Sequence, residues 1–387
     1  MEFDYLIVGA GFAGAVLAER LASVANRRVL LIDRRNHIAG NAYDSVDAAG
    51  ILIHHYGPHY FRTNSQGVVD YLSTFTAWHP VAYKILSSTA GQLWNFPINL
   101  NTFEQFIGRP SSSEEMQRTL AQWRMDIPNP ANSEEVILSQ VGRQLYEMFF
   151  ENYTLKQWKR HPRDLDASVC GRIPIRFDRD DRYLSEKFQA LPDQGYTALF
   201  ERMLDHKNIT LELGVDFRGI REKASFKRLI YTGMIDEFFD FQFGPLPYRS
   251  LRFEPQTLPQ EFFQSAMQIN YPNDHDFTRI VEIKHATGQK HASTTIMREY
   301  PEDYEPGRDA YYPIPAPDAK VIYQRYLELS ASRPEISFVG RLAQYRYYNM
   351  DQIVAMALTT FDKLEPARAA TSSPLRAAFR AIPAAGS

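Results

Sequence analysis

A glycine-rich turn close to the N-terminus constrains the fold more than any other feature of the chain: Gly9-Ala10-Gly11-Phe12-Ala13-Gly14. It follows a short apolar run at 3–9, which is typical of a buried strand, and precedes residues 11–24, whose apolar side chains recur at helical spacing. A second apolar run at 28–33 predicts another buried strand. Strand, helix and strand in so short a span indicate a βαβ unit with parallel strands.

The spacing of these glycines predicts what the turn binds. The first glycine permits the tight bend, the second lets a pyrophosphate approach the backbone, and the third lets the helix pack closely on the strand. Exposed N–H groups at the start of the helix attract the phosphates. Asp33 ends the second strand, nineteen residues after Gly14, where an acid accepts hydrogen bonds from the ribose hydroxyls of the adenosine. The sequence therefore predicts a dinucleotide site, in preference to a purely structural glycine turn.

The composition excludes several classes of protein. A length of 387 residues predicts two or three domains, and a net charge of −3 argues against a general nucleic-acid binder. Cys170 is the single cysteine, so we expect neither an intramolecular disulfide nor a cysteine-based zinc site, and no metal is expected. The sequence has neither a secretory signal nor an apolar stretch long enough for a bilayer, so we expect a cytoplasmic protein without membrane insertion.

The rest of the chain contains a helical region and several strands. Thr102 and Gln105 form a capping-box pair that predicts a helix start, and a second helix is predicted from Asn132 or Ser133. Alternating segments predict strands at 208–217, 229–231, 248–254, 278–284, 291–299 and 336–339, and a last helix covers 350–364. The predicted fold class is α/β, with a Rossmann-like dinucleotide-binding domain, a helical insertion domain and an antiparallel β-sheet domain.

Many blocks of this sequence resemble UDP-galactopyranose mutases. Residues 34–43, RRNHIAGNAY, are similar to the flavin loop of that family, and the resemblance continues in the family's order to about residue 364. The other similar blocks are 56–61, 95–99, 153–158, 172–176, 180–183, 195–197, 231–233, 248–251, 278–280, 311–313 and 340–342. The number and order of the blocks carry the resemblance.

The resemblance implies a cofactor and a reaction. Members of the family isomerise UDP-galactopyranose to UDP-galactofuranose and are active only with reduced FAD, without net redox change. The implied mechanism is covalent, because N5 of the reduced flavin attacks the anomeric carbon of the sugar while UDP leaves. The implied partners are UDP-galactopyranose and UDP-galactofuranose, and we expect a homo-oligomer, a dimer or larger. A flavin-dependent amine oxidase-like oxidoreductase and a non-catalytic nucleotide-sugar binder remain as alternatives.

We accordingly expect three domains built from discontinuous segments. Residues 1–75, 195–240 and 335–365 form the FAD-binding domain, and residues 99–162 form the helical domain. Residues 76–98, 163–194 and 241–334 form the antiparallel sheet domain. The remaining segment, 366–387, is rich in Ala, Ser and Pro and is predicted to be a disordered tail.

The resemblance also implies which residues contact the substrate. Arg172 and Arg279 are implied to be the catalytic pair that grips the diphosphate, for which the arginine fork is suited. Their alternative role is ion pairing with neighbours such as Asp178, Asp180 or Glu282. Trp158 is implied to be a gate residue. The other implied substrate contacts are Phe149, Phe150, Tyr153, Thr154, Tyr183, Gln105, Asn270, Tyr312, Tyr347 and Asn349.

The implied cofactor residues come from both ends of the chain. Gly340 and Arg341 follow a late strand, in a segment that returns to the first domain in flavoproteins and covers the ribityl chain. Ala39 replaces the first glycine of a pair that many flavoproteins have after the acidic strand end. Two positions depart from the family pattern: Arg62 replaces a histidine, and Asn349 replaces a common aspartate. The full implied set is Gly9, Gly11, Phe12, Ala13, Gly14, Asp33, Arg34, Gly40, Asn41, His59, Gly340 and Arg341.

Overall fold

The computed structural model describes residues 2–368. Its strands are β1 (Glu2–Val8), β2 (Val29–Asp33), β3 (Asp44–Val46), β4 (Leu52–His54), β5 (Phe61–Thr63), β6 (Trp78–Pro80), β7 (Ile85–Thr89), β8 (Gln92–Phe96), β9 (Phe188–Pro192), β10 (Ile209–Leu213), β11 (Ser225–Tyr231), β12 (Tyr248–Leu258), β13 (Gln268–Asn270), β14 (Arg279–Val281), β15 (Thr294–Asp303), β16 (Tyr312–Pro313) and β17 (Ile336–Phe338). Its α-helices are α1 (Phe12–Ser23), α2 (Gln66–Leu72), α3 (Leu100–Ile107), α4 (Ser113–Trp123), α5 (Ser133–Tyr146), α6 (Asn152–Trp158), α7 (Ser168–Gly171), α8 (Gly195–Leu204), α9 (Phe217–Ile220), α10 (Ile235–Phe238), α11 (Lys284–Thr287), α12 (Pro317–Ala331) and α13 (Met350–Leu364).

A five-stranded parallel sheet follows the order β10-β2-β1-β11-β17. Leu6 of β1 lies opposite Leu30 of β2 on one side and Leu229 of β11 on the other. Every residue of β2 is buried, the pattern expected of a strand that is covered on both faces. Helices α1, α8 and α13 pack on one face around Ile7, while Leu6 belongs to a second apolar cluster on the opposite face. The predicted α/β class with a Rossmann-like βαβ unit is confirmed.

The C-terminal helix is fastened to the start of the chain. The Glu365 carboxylate, directly after α13, accepts a hydrogen bond from Tyr5 Oη at 3.1 Å and two from Arg27, at 2.8 Å each. Because Tyr5 is in β1 and Arg27 lies just before β2, this contact joins the last helix to the first two strands. It fixes the C-terminal end of α13 against the parallel sheet.

A seven-stranded sheet follows the order β16-β12-β15-β14-β13-β7-β8. Five of its strand pairs are antiparallel, as predicted, and the pair β13–β7 is parallel. In its register, Arg279 of β14 lies between Asn270 of β13 and Glu299 of β15. The sheet therefore brings two predicted site residues together on adjacent strands.

Residues 100–171 are mostly helical, and Phe103, Leu120 and Ile137 among them belong to an apolar core that also includes strand residues such as Ile85 and Phe96. Helix α5 begins after Asn132, whose side chain accepts a hydrogen bond from Glu135 N at 2.9 Å, as predicted. The predicted capping box of Thr102 with Gln105 is wrong.

The capping box of α3 is formed instead by Asn99 and Thr102. The Thr102 N–H donates to Asn99 Oδ1 at 3.0 Å, and the Asn99 N–H donates to Thr102 Oγ1 at 3.2 Å. Thr102 is therefore the third residue of the helix and not its cap. Both pairs have the three-residue spacing of a capping box, so the spacing alone did not distinguish them.

Two predicted strands are shorter than expected. The strand predicted at 208–217 is limited to β10, because the Asp216 side chain accepts a hydrogen bond from Arg218 N at 2.8 Å and begins α9. The strand predicted at 278–284 ends at Val281, and Lys284 begins α11. Residues 366–368 are helical, so the predicted disordered tail does not begin at 366, and its residues 369–387 lie outside the described part.

None of the helices within residues 2–368 is long and apolar enough to cross a bilayer. The division of the chain into three domains with the boundaries given above remains a prediction.

Candidate active site

A cavity of about 260 Å³ opens at the carboxyl ends of the parallel strands. Val8 ends β1 and Gly9 follows it, Asp33 ends β2, Tyr231 ends β11, and Gly340 lies just after β17. Ligands of open α/β sheets bind outside the carboxyl ends of the strands. The glycine turn thus lies where the sequence predicts a dinucleotide site.

The three glycines of the turn have different reasons for lacking a side chain. Gly9 has a φ of 103°, and a Cβ added there would overlap Thr232 Oγ1. A Cβ on Gly14 would overlap the carbonyl oxygen of Gly9, so the helix packs too closely on the strand for any side chain. Gly11 is in extended backbone, and its added Cβ would meet only Gly40 Cα, at an ordinary 3.7 Å. The protein itself therefore tolerates a Cβ at Gly11, which lines the cavity, and only a ligand would exclude it.

The second loop of the cavity is held against the glycine turn by backbone contacts. The Asp33 carboxylate accepts hydrogen bonds from Ala10 N at 2.8 Å and from Arg35 N at 2.9 Å. Ala39 N donates to Ala10 O at 2.9 Å. Ala39 has a φ of 71°, so this alanine adopts the left-handed conformation that a glycine, as in many flavoproteins, would adopt more easily.

Most of the predicted cofactor residues line this one cavity. They are Gly9, Gly11, Phe12, Ala13, Asp33, Arg34, Gly40, Asn41, His59, Gly340 and Arg341, whereas Gly14 lies behind the turn. His59 makes a hydrogen bond from Nδ1 to Gly57 O at 2.9 Å, and burial lowers its pKa to about 3, so the ring is neutral. The assignment of these residues to a cofactor remains a proposal.

Beside the cavity lies a cluster that we call the arginine–tyrosine cluster, formed by Arg172, Arg279, Arg341, Tyr312 and Tyr347. The guanidinium carbons of Arg172 and Arg341 lie 5.0 and 4.9 Å from the ring centroid of Tyr347. The ring of Tyr312 lies 6.0 Å from that of Tyr347 and 5.1 Å from that of Trp158. Arg341 belongs to the cluster and also lines the cavity.

The cluster holds buried polar atoms that have no hydrogen-bond partner within residues 2–368. They are Arg279 Nε, Tyr312 Oη and Arg341 Nε, together with Oε1 of Glu299, the residue beside Arg279. Arg249 Nη2, in β12 of the same seven-stranded sheet, also lacks a partner there. Buried polar groups are normally satisfied, because an unsatisfied one costs about 1–3 kcal/mol. Their concentration beside the cavity points to a polar ligand that supplies the missing partners.

The two predicted catalytic arginines have different surroundings. Arg279 donates from Nη2 to the buried carboxylate of Glu299 at 2.7 Å. Arg172 lies at the exposed end of α7 and donates from Nε to Val169 O at 3.1 Å. The predicted alternative of ion pairing therefore holds for Arg279 in part, with Glu299 in the place of Glu282.

Tyr347 lies between two positive charges. Desolvation raises its pKa, but the guanidinium groups of Arg172 and Arg341 outweigh this effect and lower the pKa to about 7. Arg172, Arg341 and Arg279 all contribute to that shift, so the phenol responds to the charge of the whole cluster. A phenolate at this position would offset part of the excess positive charge.

The segment 149–158 contributes buried aromatic side chains. Residues Glu147–Glu151 form a π-helix that runs into α6. Phe149 packs on Trp94 and Phe96, at centroid distances of 5.9 and 6.2 Å, as a core residue would. Tyr153 lies in the electrostatic range of both Arg279 and Glu299, so it faces the cluster.

The remaining predicted substrate residues are distributed around the cluster. Asn270 lies opposite Arg279 and accepts a hydrogen bond from Gln268 Nε2 at 2.7 Å. Gln105 is exposed and donates to Gln92 and to Leu93 O. The others lie in the core or at element ends: Phe150 beside Phe96, Thr154 beside Cys170, Tyr183 stacked on Phe96, and Asn349 at the start of α13. Their role as substrate contacts remains a proposal.

Sequence reasoning missed Glu299 and Arg249. Glu299 is 1% exposed in β15, and Arg249 is 1% exposed in β12. A charged residue within a run of β-forming residues was the available signal for both. The signal became specific only when the register brought Glu299 beside Arg279.

Comparisons with known proteins identify the family. A family model described as UDP-galactopyranose mutase matches residues 148–347, and a model of NAD(P)-binding Rossmann-like domains matches residues 7–75. A Klebsiella pneumoniae protein named "Probable UDP-galactopyranose mutase" is 38% identical over 93% of this chain and 94% of its own length. The dTDP-fucopyranose mutase of Escherichia coli is 35% identical over 91% of this chain and 96% of its own length.

The chain belongs to the UDP-galactopyranose mutase family. A crystal structure of a reduced UDP-galactopyranose mutase has the same fold, with a TM-score of 0.75, 16% identity and 98% of both chains covered. The family named from the sequence is confirmed, and so is the enzyme class, since these relatives are mutases, which are isomerases.

One departure from the family pattern has a structural explanation. Arg62, which replaces a family histidine, belongs to β5 and directs its side chain toward Glu186, with 3.4 Å between Nε and Oε1. It does not line the cofactor cavity, whereas His59 of the same loop does. Of these two residues, only His59 lines the cavity.

We expect Gly11→Val to fold and to lose its bound dinucleotide, because the new side chain would fill cavity space and not clash with the protein backbone. The measurement is the dinucleotide released on denaturation, together with the thermal unfolding midpoint. Gly219→Val is the matched control, since an added Cβ there meets no atom within 4 Å and the residue does not line the cavity. Full dinucleotide content in Gly11→Val would contradict the assignment of the cavity.

We expect Tyr347 to ionise near pH 7, whereas a free tyrosine ionises near 10. An ultraviolet titration should show one tyrosine with a midpoint near neutrality, which disappears in Tyr347→Phe. Because the pKa is lower in the folded state, the free energy of unfolding should rise between about pH 7 and pH 10 in the wild type relative to the variant. Identical titration curves for the two proteins would exclude this arrangement of charges.

Proposed function

We propose that this protein converts UDP-galactopyranose to UDP-galactofuranose, and back, with reduced FAD as cofactor. The observation that carries the proposal is the arginine–tyrosine cluster, with its unpartnered buried polar atoms, next to the dinucleotide cavity. Such a cluster suits a diphosphate, which offers several acceptor oxygens and about two negative charges. Membership of the family supports the choice of sugar and of reaction.

The residues of the cavity fit FAD. The glycine turn and Asp33 suit the pyrophosphate and the adenosine ribose, and Gly340 and Arg341 return to the cavity from the C-terminal part, as flavoproteins require and simple NAD enzymes do not. Bound and reduced, FAD would supply N5 as a nucleophile that holds the anomeric carbon covalently while UDP is displaced, without net redox change. The protein would position the substrate and neutralise the charge of its diphosphate.

We infer that Arg172 and Arg279 neutralise the diphosphate from two different segments. Arg279 belongs to the seven-stranded sheet and is held by Glu299, so its direction is fixed, and its Nε lacks a partner within residues 2–368. No carboxylate within residues 2–368 holds Arg172 in this way, and its guanidinium carbon lies over the ring of Tyr347, 5.0 Å from the centroid. A diphosphate bound between them would stabilise UDP as the leaving group.

The tyrosines would complete this diphosphate site. Tyr312 Oη is buried and is among the atoms without a partner in the described residues, so it can donate to a phosphate oxygen. Trp158 packs against the Tyr312 ring and keeps water from that side. A bound dianion would compensate the charge of the arginines and so favour the neutral form of Tyr347. In that form the phenol would donate a hydrogen bond to the phosphate.

The nucleotide side of the site would be formed by Tyr153, Thr154 and Asn270. Tyr153 faces the cluster from α6, and Asn270 lies next to Arg279 on the neighbouring strand. We propose that the uracil lies against this part of α6. Phe149 and Phe150 would support it from the core, since both pack on Phe96.

The decisive experiment offers UDP-galactofuranose to the purified protein with and without dithionite and follows UDP-galactopyranose by chromatography. We expect turnover with the reduced protein and none with the oxidised protein, because N5 of the flavin is nucleophilic only when reduced. Equal turnover by the oxidised protein would exclude the proposed mechanism, and stoichiometric consumption of an electron donor would favour the amine oxidase-like alternative. A parallel assay with dTDP-fucopyranose tests the substrate of the second relative.

We expect Arg172→Ala and Arg279→Ala to lower the rate at least ten- to a hundredfold, since a charge-assisted hydrogen bond contributes about 1.5–3 kcal/mol. Both should keep bound FAD, and lysine variants should lie between alanine and wild type because an ammonium lacks the planar fork. The measurements are turnover and flavin absorbance per folded protein. Normal activity in the folded, flavin-loaded fraction would mean that the arginines serve only the fold.

A further inference from the structure

The side chain of Lys156 is bound by three carbonyl oxygens of one loop. Its Nζ donates to Tyr271 O at 2.6 Å, to Asp274 O at 3.1 Å and to Phe277 O at 3.3 Å. An ammonium group has three N–H donors, so this loop satisfies all of them. Burial lowers the pKa of Lys156 to about 8, while Asp274 and Asp276 act in the opposite direction, so the ammonium prevails at neutral pH.

The loop that Lys156 binds connects two strands of the candidate site. Residues 271–278 join β13, which ends at Asn270, to β14, which begins at Arg279. The base of the loop is closed by Tyr271 N, which donates to Thr278 O at 2.9 Å. The tip of the loop, residues 273–276, is exposed to solvent. The Lys156 ammonium therefore stabilises the loop from its inner side.

Helix α6 reaches the loop through a second contact. Asn152, at the start of α6, donates from Nδ2 to Asn273 Oδ1 at 2.8 Å. Asn273 in turn donates to Met148 O at 3.1 Å. The helix is thus attached to the loop at Asn152 and at Lys156, which lie four residues apart on one helical face.

We propose that Lys156 is a positioning residue that sets the distance between the nucleoside side and the diphosphate side of the substrate site. The proposal rests on the proposed function. Tyr153 and Thr154, three and two residues before Lys156, belong to the nucleoside side, whereas Arg279 follows the loop directly, two residues after Phe277. Lys156 touches neither substrate nor cofactor and acts through the loop.

The same kind of contact also occurs where it serves only the fold. Lys284 Nζ donates to the carbonyls of Glu261, His291 and Ser293, and Lys284 is 1% exposed. These carbonyls lie at the other end of β14, away from the arginine–tyrosine cluster. Lys284 therefore provides a control for the structural effect of removing a lysine from three carbonyls.

The test compares the dissociation constants of UDP and UMP. For Lys156→Met, we expect the dissociation constant of UDP to rise about ten- to thirtyfold, because a shifted Arg279 would lose charge-assisted hydrogen bonds to the second phosphate. The constant for UMP should change less than about threefold. Lys159→Met, which removes an exposed lysine of the same segment, should change neither, and Lys284→Met should lower the unfolding temperature without changing the UMP-to-UDP ratio.

A double-mutant cycle with Arg279→Ala separates positioning from general stability. If Lys156 acts through Arg279, Lys156→Met should weaken UDP binding less than about threefold in the Arg279→Ala background. An equal factor in both backgrounds, or an unchanged UDP constant in Lys156→Met, would overturn the proposal. Lys156→Arg keeps the charge but cannot direct a planar fork at three converging carbonyls, so it should show the same pattern if Lys156→Met does not fold.

The outcomes also distinguish this inference from the proposed function. A wild-type protein that binds neither UDP nor dTDP contradicts both. A wild-type protein that binds UDP and isomerises the sugar, with a Lys156→Met variant that binds UDP normally, contradicts the positioning role alone.

Discussion

The excess of positive charge in the arginine–tyrosine cluster is the constraint on which the rest of the site depends. Three guanidinium groups lie around Tyr347 and Tyr312, and Glu299 is the carboxylate that contacts one of them. Bringing positive charges so close together, with Arg279 largely buried, is costly unless they are compensated. Glu299 compensates Arg279, Tyr347 compensates part of the rest when it ionises, and a dianionic ligand would supply the remainder. The positive charge of the cluster is therefore fully compensated only when an anionic ligand binds.

The two parts of the site meet because two sheets contribute to it. Arg341 follows β17 of the parallel sheet, and Arg279 belongs to β14 of the seven-stranded sheet. Arg341 donates to Tyr311 O at 3.2 Å and to Tyr348 O at 2.6 Å, so backbone on either side fixes its direction. One arginine can thereby line the cofactor cavity and contact Tyr347. This shared residue explains how a dinucleotide and a diphosphate sugar could be held side by side.

The sequence predicted best what depends on neighbours in the chain. The βαβ unit around the glycine turn and the helix after Asn132 each follow from residues within about twenty positions, and both are confirmed. The role of Asp33 toward a cofactor remains a proposal. The register that brings Glu299 beside Arg279 joins two different strands, so only the family resemblance pointed to Arg279. For Glu299 the sequence offered only the weak signal of a charged residue within a β-forming run. The capping box of α3 was wrong for a different reason, since Asn99–Thr102 and Thr102–Gln105 have the same spacing and only burial of Asn99 and Thr102 distinguishes them.

Three consecutive residues of α6 illustrate why such a site resists prediction from local patterns. Lys156 donates to the loop after β13, the carbonyl of Gln157 accepts a hydrogen bond from Arg249 Nε at 3.1 Å, and the ring of Trp158 packs on Tyr312. Each partner comes from a different segment of the chain, and Arg249 is itself held by Asp303. A helix of seven residues is too short to be stable alone, so these contacts fix its place and direction. The geometry of the substrate site therefore depends on tertiary contacts of a short helix, and a change in any of the three partners would shift its neighbours as well.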